Sequence, residues 1–129
     1  MSRVVLIVDD SAMIRQQVGK VLRAAGLEVF EAVDGMDAVD KLQTLGTVSL
    51  IVCDVNMPRM TGLEFLEAAQ ERISRAAIPV VMLTTEGQPE LLQRAKRLGA
   101  RAWIIKPFKP ELFVAAIQKL IGPPMAKTG

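Results

Sequence analysis

Five short strand-like segments alternate with five segments whose apolar residues recur at helical spacing, and this alternation constrains the fold more than any other feature. Four of the strand-like segments are apolar runs, at residues 4–8, 50–53, 79–83 and 102–105, and the fifth, at residues 27–32, has the partial alternation expected nearer a sheet edge. Short apolar runs bounded by turn residues favour buried strands, whereas apolar residues three and four apart favour helices with one buried face. Strands and helices that alternate through short loops predict a parallel sheet with helices on both faces. We therefore expect a doubly wound α/β fold.

The predicted helices have recognisable ends. Asp10 or Ser11 can cap the first helix, and Asp34-Gly35 predicts a turn before the second. Pro89 and Pro110 suit the first turns of the last two helices. Glycines close the first, second and fourth helices, and Gly122-Pro123-Pro124 closes the fifth. The expected buried stripes are Ile14, Val18, Val21, Leu22 and Ala25; Ala38, Val39, Leu42 and Leu45; Leu63, Leu66, Ala69 and Ile73; Leu91, Leu92, Ala95 and Leu98; and Leu112, Phe113, Ala116, Ile117 and Leu120.

Composition excludes several classes of protein. A chain of 129 residues with half of them apolar is long enough for one domain with a real core. The net charge of +2 is too small to indicate a nucleic-acid partner, and no apolar run approaches membrane-spanning length. The chain has no histidine, and its single cysteine, Cys53, has no intrachain disulfide partner. We expect a cytoplasmic monomer without a signal peptide, a membrane contact or a direct nucleic-acid contact.

Polar residues follow four of the predicted strands, where each strand ends. Asp9 and Asp10 follow the first, Asp54 the third, Thr84 the fourth and Lys106 the fifth. Each residue alone is explained by a helix cap, a turn or a surface charge. The carboxyl ends of parallel strands meet at one edge of the sheet, where open α/β folds bind ligands. The four strand ends together therefore indicate a site.

The chemistry of such a site follows from its residue types. Clustered carboxylates repel one another, and a hard divalent cation such as Mg²⁺ relieves that repulsion through oxygen ligands. An aspartate can also act as a nucleophile toward phosphorus. Lys106 offers a charge to a phosphate oxygen, and the Thr84 hydroxyl can donate to another. The residues therefore indicate metal-assisted phosphoryl chemistry on Asp54.

The segments LIVDDS, LIVCDVNMPRMTG, VVMLTT and WIIKPF carry a close resemblance to the response-regulator receiver domain. The match runs from Val4 to about Ile121, and the sequence after Asp54 is most similar to that of stand-alone chemotaxis regulators. The resemblance implies a flavodoxin-like sheet with strand order 2-1-3-4-5. It also implies a receiver domain over residues 1–122 and a short tail over residues 123–129.

The resemblance also implies roles for individual residues. Asp54 would accept a phosphoryl group from a histidine kinase, with Thr84 as the switch hydroxyl and Lys106 as the phosphate-binding lysine. The implied Mg²⁺ ligands are Asp10, Asp54 and the backbone carbonyl of Asn56, with Asp9 acting through a metal-bound water. Lys106-Pro107 would carry a cis peptide bond. The residues implied to influence dephosphorylation are Asn56, Thr85 and Glu86.

The implied activity is signalling, with no catalysis beyond self-catalysed phosphoryl uptake and hydrolysis of the aspartyl phosphate. The fourth predicted helix, the fifth strand and the fifth helix would form the face that binds an output protein, such as a flagellar motor switch component. A phosphatase would be a further partner. A role as a phosphate sink or relay, or as a phosphorylation-independent adaptor, remains open.

Two residues depart from the family pattern. Trp103 stands where Tyr or Phe is usual, so the usual buried rotamer is in question, and Thr85 stands where Ala or Gly is usual and would crowd a phosphate.

Two other folds are disfavoured. A flavodoxin needs a phosphate loop after its first strand, where this chain has two aspartates. A haloacid-dehalogenase-type phosphatase needs an aspartate two residues after its nucleophile, where this chain has Asn56.

Overall fold

A computed structural model of the chain describes residues 3–55, 57, 60–85 and 89–121. The strands are β1 (Val4–Val8), β2 (Glu28–Ala32), β3 (Leu50–Asp54), β4 (Val80–Thr84) and β5 (Ala100–Ile105). The helices are α1 (Ala12–Ala24), α2 (Gly35–Thr44), α3 (Gly62–Ala68), α4 (Gln70–Arg75), α5 (Pro89–Arg97) and α6 (Pro110–Ile121). The expected tail from residue 123 onward lies outside the described residues.

The five strands form one parallel sheet in the order β2-β1-β3-β4-β5, which confirms the order that the resemblance implies. Val8 pairs with Cys53 between β1 and β3, and Thr84 pairs with Ile105 between β4 and β5. Their carboxyl ends therefore lie level with one another. The two central strands β3 and β4 are buried along their whole length, whereas the edge strands β2 and β5 are partly accessible.

Alternate residues of the sheet feed two apolar cores, one on each face. On one face the strands pack against α2, α3, α4 and α5, with Phe65, Leu66 and Ile73 among the buried helix residues. On the other face they pack against α1 and α6, mainly through Leu22 and Phe113. Burial on both faces requires strands that are apolar throughout, which is why β3 and β4 have no polar residue before their ends.

Local hydrogen bonds settle where the helices begin. Ser11, not Asp10, caps α1, and its hydroxyl accepts from the Ile14 N–H at 3.3 Å. Asp34 caps α2 rather than forming an isolated turn, because its carboxylate accepts from the Asp37 N–H at 2.9 Å. A capping box between Thr61 and Glu64 starts α3.

Two expectations about helices are wrong. The third predicted helix is divided into α3 and α4 at Ala69, where φ is −102° and ψ is 7°, although Ala69 and Ile73 both stay buried. The expected buried stripe of the last helix is also too wide. Leu112 is 66 % exposed, whereas Phe113 is buried. Successive helix residues are about 100° apart, and α6 meets its neighbours along a narrow line through Phe113 and Ile117.

Candidate functional site

The end of β1 presents two aspartates in different environments. Asp9 is buried, and its N–H extends the pairing with β2 by donating to the Ala32 carbonyl at 3.1 Å. Its Oδ1 accepts from the Ser11 N–H at 2.8 Å, which ties the carboxylate to the start of α1. Asp10 is exposed at the mouth of the site. The buried aspartate is thus held in place, while its neighbour is open to solvent.

Asp54 is the last residue of β3 and is buried at the end of its strand. The chain after it returns very close to the strand, because the Gly62 N–H donates to the Val55 carbonyl at 2.9 Å. A Cβ at Gly62 would lie 2.2 Å from the Asp54 carbonyl oxygen, which no side chain can accommodate. The absence of a side chain at Gly62 therefore allows the start of α3 to pack directly behind Asp54.

Asp9, Asp10 and Asp54 converge, as the strand ends predict. One carboxylate oxygen from each lies within 4.8 Å of the others. The Lys106 ammonium approaches this cluster from the end of β5, at 3.3 Å from Asp9 Oδ2 and 3.3 Å from Asp54 Oδ1. Three carboxylates with one lysine leave a net negative site. Its oxygen donors suit a hard cation such as Mg²⁺, and the ammonium between two of them shows that the arrangement accommodates positive charge.

The ends of β4 and β5 complete the edge. Thr84 is buried at the last position of β4, and its carbonyl accepts from the Lys106 N–H at 2.7 Å. The bond links the backbone of the threonine to that of the lysine. Thr85 is exposed and borders a cavity beside Lys106. The Lys106-Pro107 peptide bond is cis, as the resemblance implies.

The family model of the response regulator receiver domain matches residues 5–118 of the chain. The chain belongs to this family. It is therefore a receiver domain of two-component signalling, a family of signalling proteins rather than of typical enzymes.

Known relatives and structures agree with this family. Transcriptional regulatory protein PdtaR of Mycobacterium tuberculosis is 40 % identical over 117 residues, covering 90 % of this chain and 55 % of that protein, so the chain spans about half its length. Chemotaxis protein CheY1 of Helicobacter pylori is 32 % identical over 118 residues, covering 91 % of this chain and 95 % of that protein. The structure of Vibrio cholerae chemotaxis protein CheY4 has a TM-score of 0.86 at 44 % identity and covers 93 % of this chain and 99 % of its own.

Trp103 lies partly buried on β5 of the receiver domain. Its ring packs against the core on the α5 side of the sheet and borders a cavity of about 360 Å³ between α5 and β5. The indole Nε1 is buried and has no hydrogen-bond partner among the described residues. The Trp103 ring is therefore only partly packed, because one side borders the cavity and its buried Nε1 lacks a hydrogen-bond partner among the described residues.

Cys53 precedes the candidate phosphoacceptor and is fully buried as a free thiol, as expected for a small core residue. Its thiol donates to the Asp54 carbonyl at 3.3 Å. Burial raises the pKa of this thiol well above its usual value, and the negative charges of Asp54 and Asp9 raise it further. The thiol is therefore neutral and unreactive.

Two expected site residues, Asn56 and Glu86, lie outside the described residues. Two others were not identified from the sequence. The role of Gly62 depends on how closely the chain after Asp54 returns to β3, and the sequence alone does not show that distance. Arg15 bonds to the backbone of Asp9, and its position four residues after the Ser11 cap was the one available signal.

Within the described residues, no helix is long and apolar enough to cross a membrane.

Proposed function

We propose that Asp54 accepts a phosphoryl group from a histidine kinase, and that Asp9, Asp10 and Asp54, with the Asn56 carbonyl, hold Mg²⁺ during this reaction. The observation that carries the proposal is the convergence of three carboxylates and Lys106 at one edge of the sheet. Each carboxylate disfavours the charged form of its neighbours, and one lysine does not balance three of them, so a further cation would stabilise the cluster.

The proposed reaction is a displacement at phosphorus. An oxygen of Asp54 forms a bond to phosphorus, and the bond to the kinase histidine breaks, leaving its electron pair on the histidine nitrogen. Bound Mg²⁺ would neutralise charge on the phosphoryl oxygens. Lys106, already 3.3 Å from Asp54, would pair with one of these oxygens, and the Thr84 hydroxyl would donate to another. Asp54 and Thr84 are both buried at the ends of central strands.

The acceptor assignment is tested with a small phosphodonor, intact-mass spectrometry and Mg²⁺. The wild-type protein should gain one phosphoryl group, EDTA should prevent the gain, and Asp54→Ala should abolish it. Asp40→Asn, which changes an exposed carboxylate on α2, is the matched control and should label normally. Full labelling of Asp54→Ala would show that another residue is the acceptor.

Hydrolysis of the aspartyl phosphate tests the residues proposed to control its lifetime. We propose that Asn56 helps position the attacking water, that Glu86 influences the same step, and that Thr85 restricts access. Thr85 is exposed beside Lys106, in agreement with a screening role. Thr85→Ala should therefore lose its phosphoryl group faster than the wild type. Slower loss would refute the crowding argument.

The switch is tested through Trp103, the only tryptophan of the chain. We propose that phosphorylation draws Thr84 toward the phosphoryl group and lets Trp103 move inward, which shifts a population between two existing states. Mg²⁺ with beryllofluoride should change the intensity or quencher access of Trp103 fluorescence, and Mg²⁺ alone should change it little. Thr84→Ala should weaken the response. Identical quenching with and without the mimic would show that Trp103 does not move.

We propose that α5, β5 and α6 form the output face and bind an acidic segment, such as one of a flagellar motor switch component. Lys96, Arg97 and Arg101 are exposed cations of this face, and Lys109 is exposed between β5 and α6. Arg94 and Lys106 are further cations of this region, but Arg94 pairs with Glu67 at 2.7 Å and Lys106 points into the acidic site. The chemotaxis relatives support the kind of partner.

Charge reversal tests the output face. Arg97→Glu should weaken binding of the output protein, mainly by slowing association, and should leave phosphorylation unchanged. Arg23→Glu on α1, which lies near the opposite edge strand β2, is the matched control. Binding that ignores both salt and Arg97→Glu would reject this face. Phosphorylation without any phosphorylation-dependent partner would instead indicate a phosphate sink.

Further proposals concern the role of the domain, its bounds, its location and its oligomeric state. The complete acidic set argues against a phosphorylation-independent adaptor, which has no need for it. We propose that residues 1–122 form the receiver unit, that the domain acts in the cytoplasm where kinase phosphodonors are found, and that it acts as a monomer with a phosphatase as a further partner. Sedimentation of the metal-free and beryllofluoride forms tests the oligomeric state.

A further inference from the structure

Arg15 reaches from α1 to the backbone of the acidic site. Its Nη1 donates to the Asp9 carbonyl oxygen at 2.7 Å, and its Nε donates to Glu31 Oε1 at 2.9 Å. The side chain is only 14 % exposed. Its own N–H donates to the Ser11 carbonyl in the first turn of the helix. A long cationic side chain is thus held at both ends although it contacts none of the three carboxylates.

The Asp9 carbonyl oxygen belongs to the peptide unit that joins Asp9 to Asp10. A peptide unit is planar, so an interaction that holds this oxygen also sets the direction in which the chain enters Asp10. The other hydrogen bonds of Asp9 act elsewhere. Its N–H bonds to Ala32, one carboxylate oxygen bonds to Ser11, and the other bonds to Lys106. Among the described contacts, Arg15 alone holds the peptide unit between the two aspartates.

Glu31 fixes the orientation of the guanidinium. It lies on β2 in register with Ile7 of β1, so its backbone is held by the sheet. The rigid fork of a guanidinium can meet a carbonyl and a carboxylate in one plane, which a lysine cannot do. Arg23 also approaches Glu31, but at 3.8 Å and from a side chain that is more than half exposed. The chain therefore offers one arginine that reaches the site and one that does not.

We propose that Arg15, oriented by Glu31, is a positioning residue that sets the place of Asp10 for Mg²⁺ binding. The inference rests on the proposed function, since it concerns the same metal. The charge of Arg15 and its bond to the Asp9 carbonyl predict opposite changes in Mg²⁺ affinity when the side chain is removed. Loss of a cation near an acidic cluster should tighten Mg²⁺ binding, whereas loss of the peptide anchor should weaken it. Outer-shell partners of metal ligands commonly contribute tenfold or more to affinity.

The first experiment measures Mg²⁺ binding by calorimetry in four proteins. Arg15→Gln should raise the Mg²⁺ dissociation constant about tenfold. Arg15→Lys should recover part of the loss, because it restores one donor but not the fork. Arg23→Gln, the matched control, should stay within about twofold of the wild type, in the range of an exposed ion pair. Equal or tighter binding by Arg15→Gln would overturn the proposal.

The second experiment uses the metal-free protein, so it does not depend on the proposed function. In Arg15→Gln the amide resonances of Asp10 and Ser11 should shift or broaden, and in Arg23→Gln they should not. If Arg15→Gln does not fold, Glu31→Gln replaces it, with a smaller expected loss of affinity in the same direction. Unshifted amides would overturn the positioning role.

The two proposals fail in different ways. A wild-type protein that binds no Mg²⁺ would overturn the proposed function, and this inference with it. A wild-type protein that binds Mg²⁺ beside an Arg15→Gln protein of equal affinity would overturn this inference alone.

Discussion

The central strands β3 and β4 are buried at every residue, whereas no residue of the edge strand β5 is fully buried. Both regions contribute to the candidate site. The central strands supply Asp54 and Thr84, and the edge strand leads into Lys106. The proposed phosphoacceptor Asp54 and the proposed switch residue Thr84 thus lie on strands with two neighbours. Trp103, whose ring we propose to move, lies on the strand with one neighbour.

The difference has a simple physical origin. A central strand is fixed by hydrogen bonds on both sides and by a core on each face, so a displacement breaks many contacts at once. The strand β5 has one paired side, and its register with β4 is irregular between Val80 and Val81. Its exposed face also carries Ile105, which is 52 % exposed. The edge can therefore shift at lower cost in free energy than the centre.

Truncation of one apolar residue in each region gives the largest expected contrast. Leu83→Ala removes a buried side chain of β4 and should lower the free energy of unfolding by about 3–4 kcal/mol. Ile105→Ala on β5 should lower it by about 0.5 kcal/mol, because most of the side chain is already in water. Urea unfolding measures both. Similar losses would remove the basis of the comparison.

A methyl group added at Gly62, behind Asp54, tests whether β3 and the start of α3 can move apart to make room for it. Gly62→Ala should lower the free energy of unfolding by about 2–3 kcal/mol, since its Cβ would meet the Asp54 carbonyl at 2.2 Å. Gly19→Ala in α1 is the control. Its Cβ would meet the flexible end of Arg23 at 3.1 Å and Ile7 Cδ1 at an ordinary contact distance of 3.8 Å, and should be tolerated. A Gly62→Ala protein of wild-type stability would show that the start of α3 moves easily.

Replacement of Trp103 by Phe tests tolerance at the edge. The change removes a buried Nε1 that has no partner among the described residues, and such an orphan costs about 1–3 kcal/mol. The smaller ring loses packing of similar size. The free energy of unfolding should therefore change by less than about 1 kcal/mol in either direction. A loss above about 3 kcal/mol would place Trp103 with the rigid core.

The smallest expected effect on the free energy of unfolding is that of Asp37 on α2. A partly accessible charge contributes little to stability in comparison with the buried residues of the central strands. The Val33 N–H lowers the pKa of Asp37, burial opposes this, and Lys41 lowers it further. A pKa lower in the folded than in the unfolded state adds stability above the usual value of 3.8, and this stability is lost as the pH falls through the folded pKa.

Asp37→Asn should therefore lower the free energy of unfolding by about 0.5 kcal/mol at pH 7. The difference from the wild type should shrink as the pH falls below 3.8 and disappear below the lowered folded pKa of Asp37, where the charge is lost in both states. Urea unfolding across this pH range measures it. A constant difference at every pH would assign the effect to the hydrogen bond rather than to the charge.

The sequence predicts the fold and the meeting of Asp9, Asp10, Asp54 and Lys106 because strand and helix periods are local and parallel strands align their ends. Other features depend on neighbours that are distant in the chain. The exposure of Leu112 follows from the narrow line along which α6 meets its neighbours. The bond from Arg15 to Asp9 needs the guanidinium held by β2. The unsatisfied Nε1 of Trp103 depends on every group around the ring.

Lys106 gives the site a counter-ion that is covalently part of the chain. A tethered ammonium stays at high effective concentration however dilute the protein or its buffer, and no chelator can remove it. The carboxylates of Asp9 and Asp54 are thus partly balanced before any metal arrives. Many small metal-binding domains fold only when their metal binds. We expect this receiver domain to stay folded with and without the proposed Mg²⁺, so that each phosphorylation cycle would begin from the same native state.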